Sequence, residues 1–310
     1  MVLCACSGTI NPESSDTSTD AAPGAAPGAD SHPTQDVVET AEQWRDLIMV
    51  DWSVAPGTER FVCALVTIPE ELFIQRFQPV APSGTHHVLL TLVGPGGTDS
   101  VFDCAPGTLS DAMLFAAGIE SDGQDLPPGI AMRIPAGSQV LINIHLLNPL
   151  LTEVSGTSGI RVSVAPAVDV AQQAEMIFAG TTRFTIEPGT QESATGRCEF
   201  ANDATVSLVW PHMHTLGVHM RVVHIAGDPL AATSPRLVLH DAPYDFGEQR
   251  QYPIDPTLVR AGESIEVTCT WDNPGDQAVV FGDSTLEEMC FAGLVRYPAS
   301  HQGLYCHDTR

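Results

Sequence analysis

The sequence predicts an all-β protein made of two tandem antiparallel β-sandwich (jelly-roll) domains. Three observations predict it. From Phe61 onward, short runs rich in Val, Ile, Leu and Thr recur, each closed by Gly, Pro or Asp, which is the punctuation of strands and turns. Helical periodicity is scarce over the same span. Instead Val140, Ile142, Ile144 and Leu146 alternate with Leu141, Asn143 and His145, the period of a strand that turns one face to a core. Finally, 310 residues leave room for two domains that each bury a core.

The elements follow in order. Residues 1–36 open on Met1-Val-Leu-Cys4-Ala-Cys6 and continue rich in Ser, Thr, Asp, Pro and Ala, too poor in apolar side chains to fold. Cys6 stands where a bacterial lipoprotein signal carries its lipid. One reading is therefore a clipped signal, with an anchor at Cys6 and a flexible tether behind it. The other is two stray cysteines, because the basic and long apolar parts of a signal are missing. A helical or irregular lead-in is expected over residues 42–48. Strands are expected at 61–68, 87–93, 139–147, 160–164, 205–210, 218–225, 264–271 and 290–297. The seam is expected at Val164-Ala-Pro-Ala-Val168, dividing a domain 37–168 from a domain 169–310.

Composition removes several function classes. The net charge is −25, with thirteen arginines and no lysine. A phosphate-backbone binder would carry a basic stripe, so nucleic acid is not an expected partner. Schiff-base and P-loop chemistry need a lysine amine. No run of eighteen apolar residues exists, the length a membrane-spanning helix requires. Beyond Cys4 and Cys6 there are six cysteines, Cys63, Cys104, Cys198, Cys269, Cys290 and Cys306, widely spaced and without a C-x-x-C pair. They read as disulfides in an oxidising compartment: bacterial periplasm, cell surface or secreted.

The chemistry sits in the histidines. His212 and His214 are two residues apart, so on an extended backbone both rings leave by one face and can share an ion. A thioether from Met289, far downstream, would complete a soft N,N,S set that suits copper, Cu(I) above all. Upstream, His86-His87 and His145 make a second set. Adjacent strand residues point to opposite faces, so His86 and His87 can share an ion only where a bulge or strand end breaks the pleat. Each piece alone is weak: a lone H-x-H is more often a solvated pair, a lone Met core filler, and a lone mid-strand His a satisfied core residue. Met213 and Met220 read as core. His32, His219, His224, His240, His301 and His307 lack partners at ligand spacing and carry no role.

Taken jointly, Thr85-His-His-Val-Leu-Leu, Asn143-Ile-His-Leu, His212-Met-His-Thr-Leu-Gly and Glu288-Met-Cys resemble the copper type II, ascorbate-dependent monooxygenases. That group contains the peptidylglycine α-hydroxylating and dopamine β-monooxygenases, and the resemblance covers residues 55–308. It implies two coppers per chain. His86, His87 and His145 would hold the electron-supplying one, and the catalytic set His212, His214 and Met289 the oxygen-reacting one. It also implies ascorbate or a similar reductant, O2 and a small-molecule substrate. Cys269–Cys290 and Cys198–Cys306 match family disulfides. Cys63 lacks its usual partner, Val154 standing in that neighbourhood, and the left-over Cys104 makes Cys63–Cys104 the economical third pair. The chain departs from the peptide-amidating members at two substrate-carboxylate positions, where it has Trp210 and Gly293. A glycine-extended peptide is therefore a poor expectation, and an apolar or aromatic substrate fits better. The expected function is a dicopper monooxygenase acting on an aliphatic C–H. The alternatives are a non-catalytic copper-binding or storage lipoprotein on the same scaffold, and a structural sandwich.

Overall fold

The computed structural model describes residues 44–110, 112–118 and 121–307. The N-terminal stretch read as tether and Cys6 anchor lies outside them, as does His32. Up to the seam the strands are β1 (Arg45–Val54), β2 (Thr58–Thr67), β3 (Leu72–Val80), β4 (Thr85–Val93), β5 (Ser100–Asp103), β6 (Met113–Gly118), β7 (Gln124–Asp125), β8 (Ile130–Ile134), β9 (Gln139–Asn148) and β10 (Val154–Val164). A single 3-10 turn, Ala167–Asp169, follows. Beyond it come β11 (Gln172–Gln173), β12 (Glu175–Gly180), β13 (Thr185–Ile186), β14 (Thr190–Glu199), β15 (Ala204–His212), β16 (Gly217–Ile225) and β17 (Arg236–Pro243). The last are β18 (Tyr252–Val259), β19 (Ser264–Asn273), β20 (Val279–Val280), β21 (Phe291–Tyr297) and β22 (Tyr305–His307).

The protein is all-β. Four sheets carry the fold, and a two-stranded β13-β20 ribbon is added to them. An outer N-terminal sheet has the order β1-β10-β3-β8-β11, with β7 on β3, and faces an inner sheet β5-β2-β9-β4-β6. After the seam an inner sheet β18-β15-β21-β12-β22 faces an outer sheet β14-β19-β16-β17. Pairing between named strands is antiparallel except for β11 with β8 and β12 with β22, among the described residues.

Strand alternation explains the layering. On β9, Val140, Ile142, Ile144 and Leu146 are fully buried in the first core, where they meet Ile160 and Val162 of β10 and Val50 and Trp52 of β1. In the second core Val206 and Val209 meet Val222, Val267 and Trp271. The inner C-terminal sheet is buried on both faces. Ile177, Val209, Ala292 and Leu294 join the second core, while Phe178, Leu208, Trp210, Phe291 and Val295 join the first. Two buried faces remove the polar side that an antiparallel strand usually shows to water.

One expectation is corrected. The lead-in expected as helical or irregular is strand from Arg45 onward. Ile48, Val50, Trp52 and Val54 are buried and the residues between them exposed, a period of two that outweighs the helix preference of the flanking Glu and Gln. Pairing with β10 along the whole strand fixes it.

Candidate metal centres

The first set is built by a fault in a strand. Thr85 pairs with Leu146 and His87 with His145, so β4 spends two residues where β9 spends one, and His86 is the extra residue. A bulge of this kind bends the strand and re-aims the side chain it carries. Both neighbouring rings therefore reach His145. The Nδ1 atoms of His86 and His87 are 3.2 Å apart and those of His145 and His87 3.4 Å. One ligand nitrogen from each of the three lies within 4.8 Å of the others.

Burial strips these rings of protons. It lowers the pKa of His86 to about 4, helped by His145 and opposed by Glu59, and that of His145 to about 4. His87 falls well below the ordinary imidazole value, first through burial, then through the charges of His145, His86, His212 and His214. Three neutral imidazoles that converge through the same atom cannot satisfy one another, since each Nδ1 is either donor or acceptor. A cation at the centre would satisfy all three, and imidazole suits copper. His145 is braced from behind: Phe61 stacks on it at 4.3 Å, and Glu59 Oε1 stands 2.6 Å from its Nε2. The pair is out of line for a hydrogen bond, but the carboxylate's charge beside Nε2 favours a proton there and leaves Nδ1 free to ligate.

The second set lies at the end of β15. Trp210 and His212 share a face, that of Phe178 and Leu208, while Met213 turns into the second core. The chain then leaves the strand, and the His214 ring meets that of His212 edge-on at 5.6 Å. His214 Nδ1 is 3.0 Å from the Glu287 carbonyl and donates to it, which leaves Nε2 for a ligand. Burial, with His214 second, lowers the pKa of His212 to about 3. Its Nδ1 is buried without a hydrogen-bond partner, and native proteins seldom leave a buried polar atom unpaired.

Glu288 ties this set together, and sequence reasoning gave it no role. Its Oε2 accepts from the backbone N–H of His214 (2.9 Å), from Trp271 Nε1 (3.0 Å) and from the N–H of Met289 (3.2 Å), and its Oε1 from the N–H of Leu216 (2.6 Å). Burial pushes this carboxyl's pKa up, against those same backbone donors. One fully buried side chain thus fastens the H-x-H turn to the Met289 segment. From the next residue, the Cys269–Cys290 disulfide ties the Met289 segment to β19. Disulfides also join Cys198 to Cys306 and Cys63 to Cys104. The last pins the loop after Cys104, whose carbonyls at Ala105, Pro106 and Thr108 accept from Asn143 Nδ2.

Both sets face one cavity of about 220 Å³. His87 lines it from one side and His212, His214 and Met289 from the other. Its apolar walls include Phe61, Phe178, Trp210, Phe246 and Phe291, and among the described residues Asp283 is the only carboxylate in the lining, which holds no Arg. Of the two positions expected at the substrate, Trp210 is in the wall, its Nε1 donating to the Gln249 carbonyl at 3.1 Å. Gly293 is not. It pairs with Trp210 across the strands, and a Cβ there would stand 3.0 Å from the Trp210 ring, so its lack of a side chain makes room for the indole. Other histidines have partners elsewhere: His219 with Asp241, His224 with Glu263, and His240 against Tyr252.

Residues 171–309 match the model of the family described as copper type II ascorbate-dependent monooxygenase, C-terminal domain. Over that span the chain is similar to this family. The monooxygenase match takes in His212, His214 and Met289 together with the disulfides Cys198–Cys306 and Cys269–Cys290, and stops short of His86, His87 and His145. No curated protein matches the chain. Two solved structures of infectious bursal disease virus are similar to it. The Gx strain structure is 9% identical, covers 84% of this chain and 73% of its own, and has a TM-score of 0.21. For the Gt strain structure the figures are 10%, 84%, 75% and 0.20. At such scores neither likeness bears on fold or function.

Proposed function

We propose that the chain is a dicopper monooxygenase that hydroxylates an aliphatic C–H of a small molecule, using O2 and a reductant such as ascorbate. The observation that supports this reading is one cavity lined by His87, a member of the three-nitrogen set, and by His212, His214 and Met289. His86, His87 and His145 would hold one copper, and His212, His214 and Met289 the other. Bound copper would supply the one-electron steps that dioxygen activation requires.

The chain's own residues do the rest. The thioether of Met289 favours reduced copper, while an all-imidazole set suits a centre that cycles between states. Glu288 and the Cys269–Cys290 bridge hold Met289 and His214 in place beforehand. Among the described residues the lining offers a substrate carboxylate no arginine as bidentate partner, and its aromatic wall suits neutral, apolar or aromatic molecules. The balance is one C–H, one O2, two electrons and two protons giving C–OH and one water. Electrons and protons come from the reductant, so no side-chain base is called for. The disulfides suit an oxidising, extracytoplasmic setting.

The test is copper content, followed by ascorbate-dependent O2 uptake over a panel of small apolar and aromatic compounds. Two coppers per chain and uptake coupled to a substrate are expected. Met289→Ala is expected to empty the second site and abolish hydroxylation while the first site stays loaded. Two coppers without coupled uptake would favour a binding protein. Less than one copper, insensitive to His214→Ala, would overturn the reading.

A further inference from the structure

We propose that the loop 244–251 couples the two metal centres, and that Phe246 is the positioning residue that sets their spacing. The inference rests on the two-centre reading above. The loop joins β17 to β18, and so passes from the outer to the inner C-terminal sheet. It is fastened to the H-x-H segment at two points. The Met213 backbone N–H donates to the Tyr244 hydroxyl (3.1 Å), which itself donates to the Met213 carbonyl (2.5 Å), and Trp210 Nε1 donates to the Gln249 carbonyl. A third tie holds it to β16, where the Tyr244 N–H donates to the Val218 carbonyl (2.9 Å), and the loop also reaches the N-terminal half. Gln251 Nε2 donates to the Ala116 carbonyl of β6 at 2.5 Å.

Phe246 stands between the two histidine sets. Its ring centroid is 4.8 Å from that of His86 and 6.4 Å from that of His214. One aromatic ring thus spans from a ligand of one centre to a ligand of the other, and Gln249 Nε2 donates to its carbonyl at 3.2 Å. Opposite, β6 ends in Gly118. A Cβ there would stand 2.7 Å from Gln249 Cβ and 3.0 Å from the Glu248 carbonyl oxygen. The loop backbone can lie this close only because residue 118 has no side chain. A misplacement of about 1 Å is enough to harm a positioned reaction, and slack between the two histidine sets would permit one. A ring wedged between them and held at both ends removes that slack.

The experiment uses the full chain loaded with copper and fully oxidised, and reads the dipolar coupling between the two coppers by electron paramagnetic resonance. Wild type is expected to show one narrow coupling. Phe246→Ala, and independently Gly118→Ala, which displaces the loop without touching Phe246, should weaken and broaden it at unchanged copper content. Phe246→Tyr keeps the ring and should restore the wild-type signal. Couplings in both alanine variants identical to wild type would overturn the coupling role while leaving the dicopper reading intact. A wild-type chain that loads fewer than two coppers would overturn both.

Discussion

Individual side chains here are set by what stands behind them. Glu59 and Phe61 orient His145, the Glu287 carbonyl orients His214, and Glu288 holds the turn between them. Burial has a cost that pH makes visible. His86 and His145 titrate near 4 and His212 near 3 in the fold, against 6.5 when unperturbed. Between those values the unfolded chain binds protons that the folded chain refuses, so stability rises with pH across the window. The metal-free protein is therefore expected to lose stability steadily as pH falls from 6.5 toward 4. Urea unfolding at several pH values would read this, and a midpoint flat across that window would contradict it. None of the bracing residues was legible beforehand. The H-x-H spacing is local and readable, whereas Glu59 meets His145 only because β2 pairs with β9, a long-range fact. Glu288 lay in plain view beside Met289, but nothing in the sequence says that four donors converge on it.

Among the elements, period-two patterns were readable wherever one face is buried, as on β9, and the expected strands are present. The lead-in misled because the helix formers Glu42 and Gln43 stand directly before Ile48, Val50, Trp52 and Val54, whose alternation becomes evident only over the full strand. The bulge at His86 could be named as a requirement but not located. Disulfides act at this scale too. Cys269–Cys290 closes a loop with a sequence separation of 21, and removing it should cost about 3 kcal/mol on the loop-entropy account. Because Cys290 follows Met289 directly, Cys269→Ala/Cys290→Ala is also expected to weaken copper binding at the second centre more than at the first. Thermal melts together with site-resolved copper affinity would check both. Equal weakening at the two centres would mean that the bridge supports the fold alone.

At the scale of the whole molecule, the sheet formed by β18, β15, β21, β12 and β22 is the hinge of the design. Its two faces serve two cores, and the face that carries Trp210 and His212 is the one turned toward the N-terminal half. Sequence reasoning placed the two histidine sets in separate domains. That they look into one cavity follows from a face choice made by Phe178, Leu208, Trp210 and Phe291, which no local pattern reveals. Residues 169–310 produced alone would expose those four side chains together with Met176, Val295 and Leu304. A patch of that size promotes association. The fragment is expected to bind a hydrophobic dye strongly and to aggregate, and a monodisperse fragment with no dye signal would show the halves to be independent.

The extra residue in β4 has a consequence for how such proteins are compared. Two adjacent histidines are a matter of composition, but their shared aim is a matter of chain length. In a regular, unbulged β4 the same two histidines would send their rings to opposite faces, and only one could reach His145. The first set thus depends on a one-residue mismatch in length between β4 and β9, which the presence of the histidines alone does not reveal.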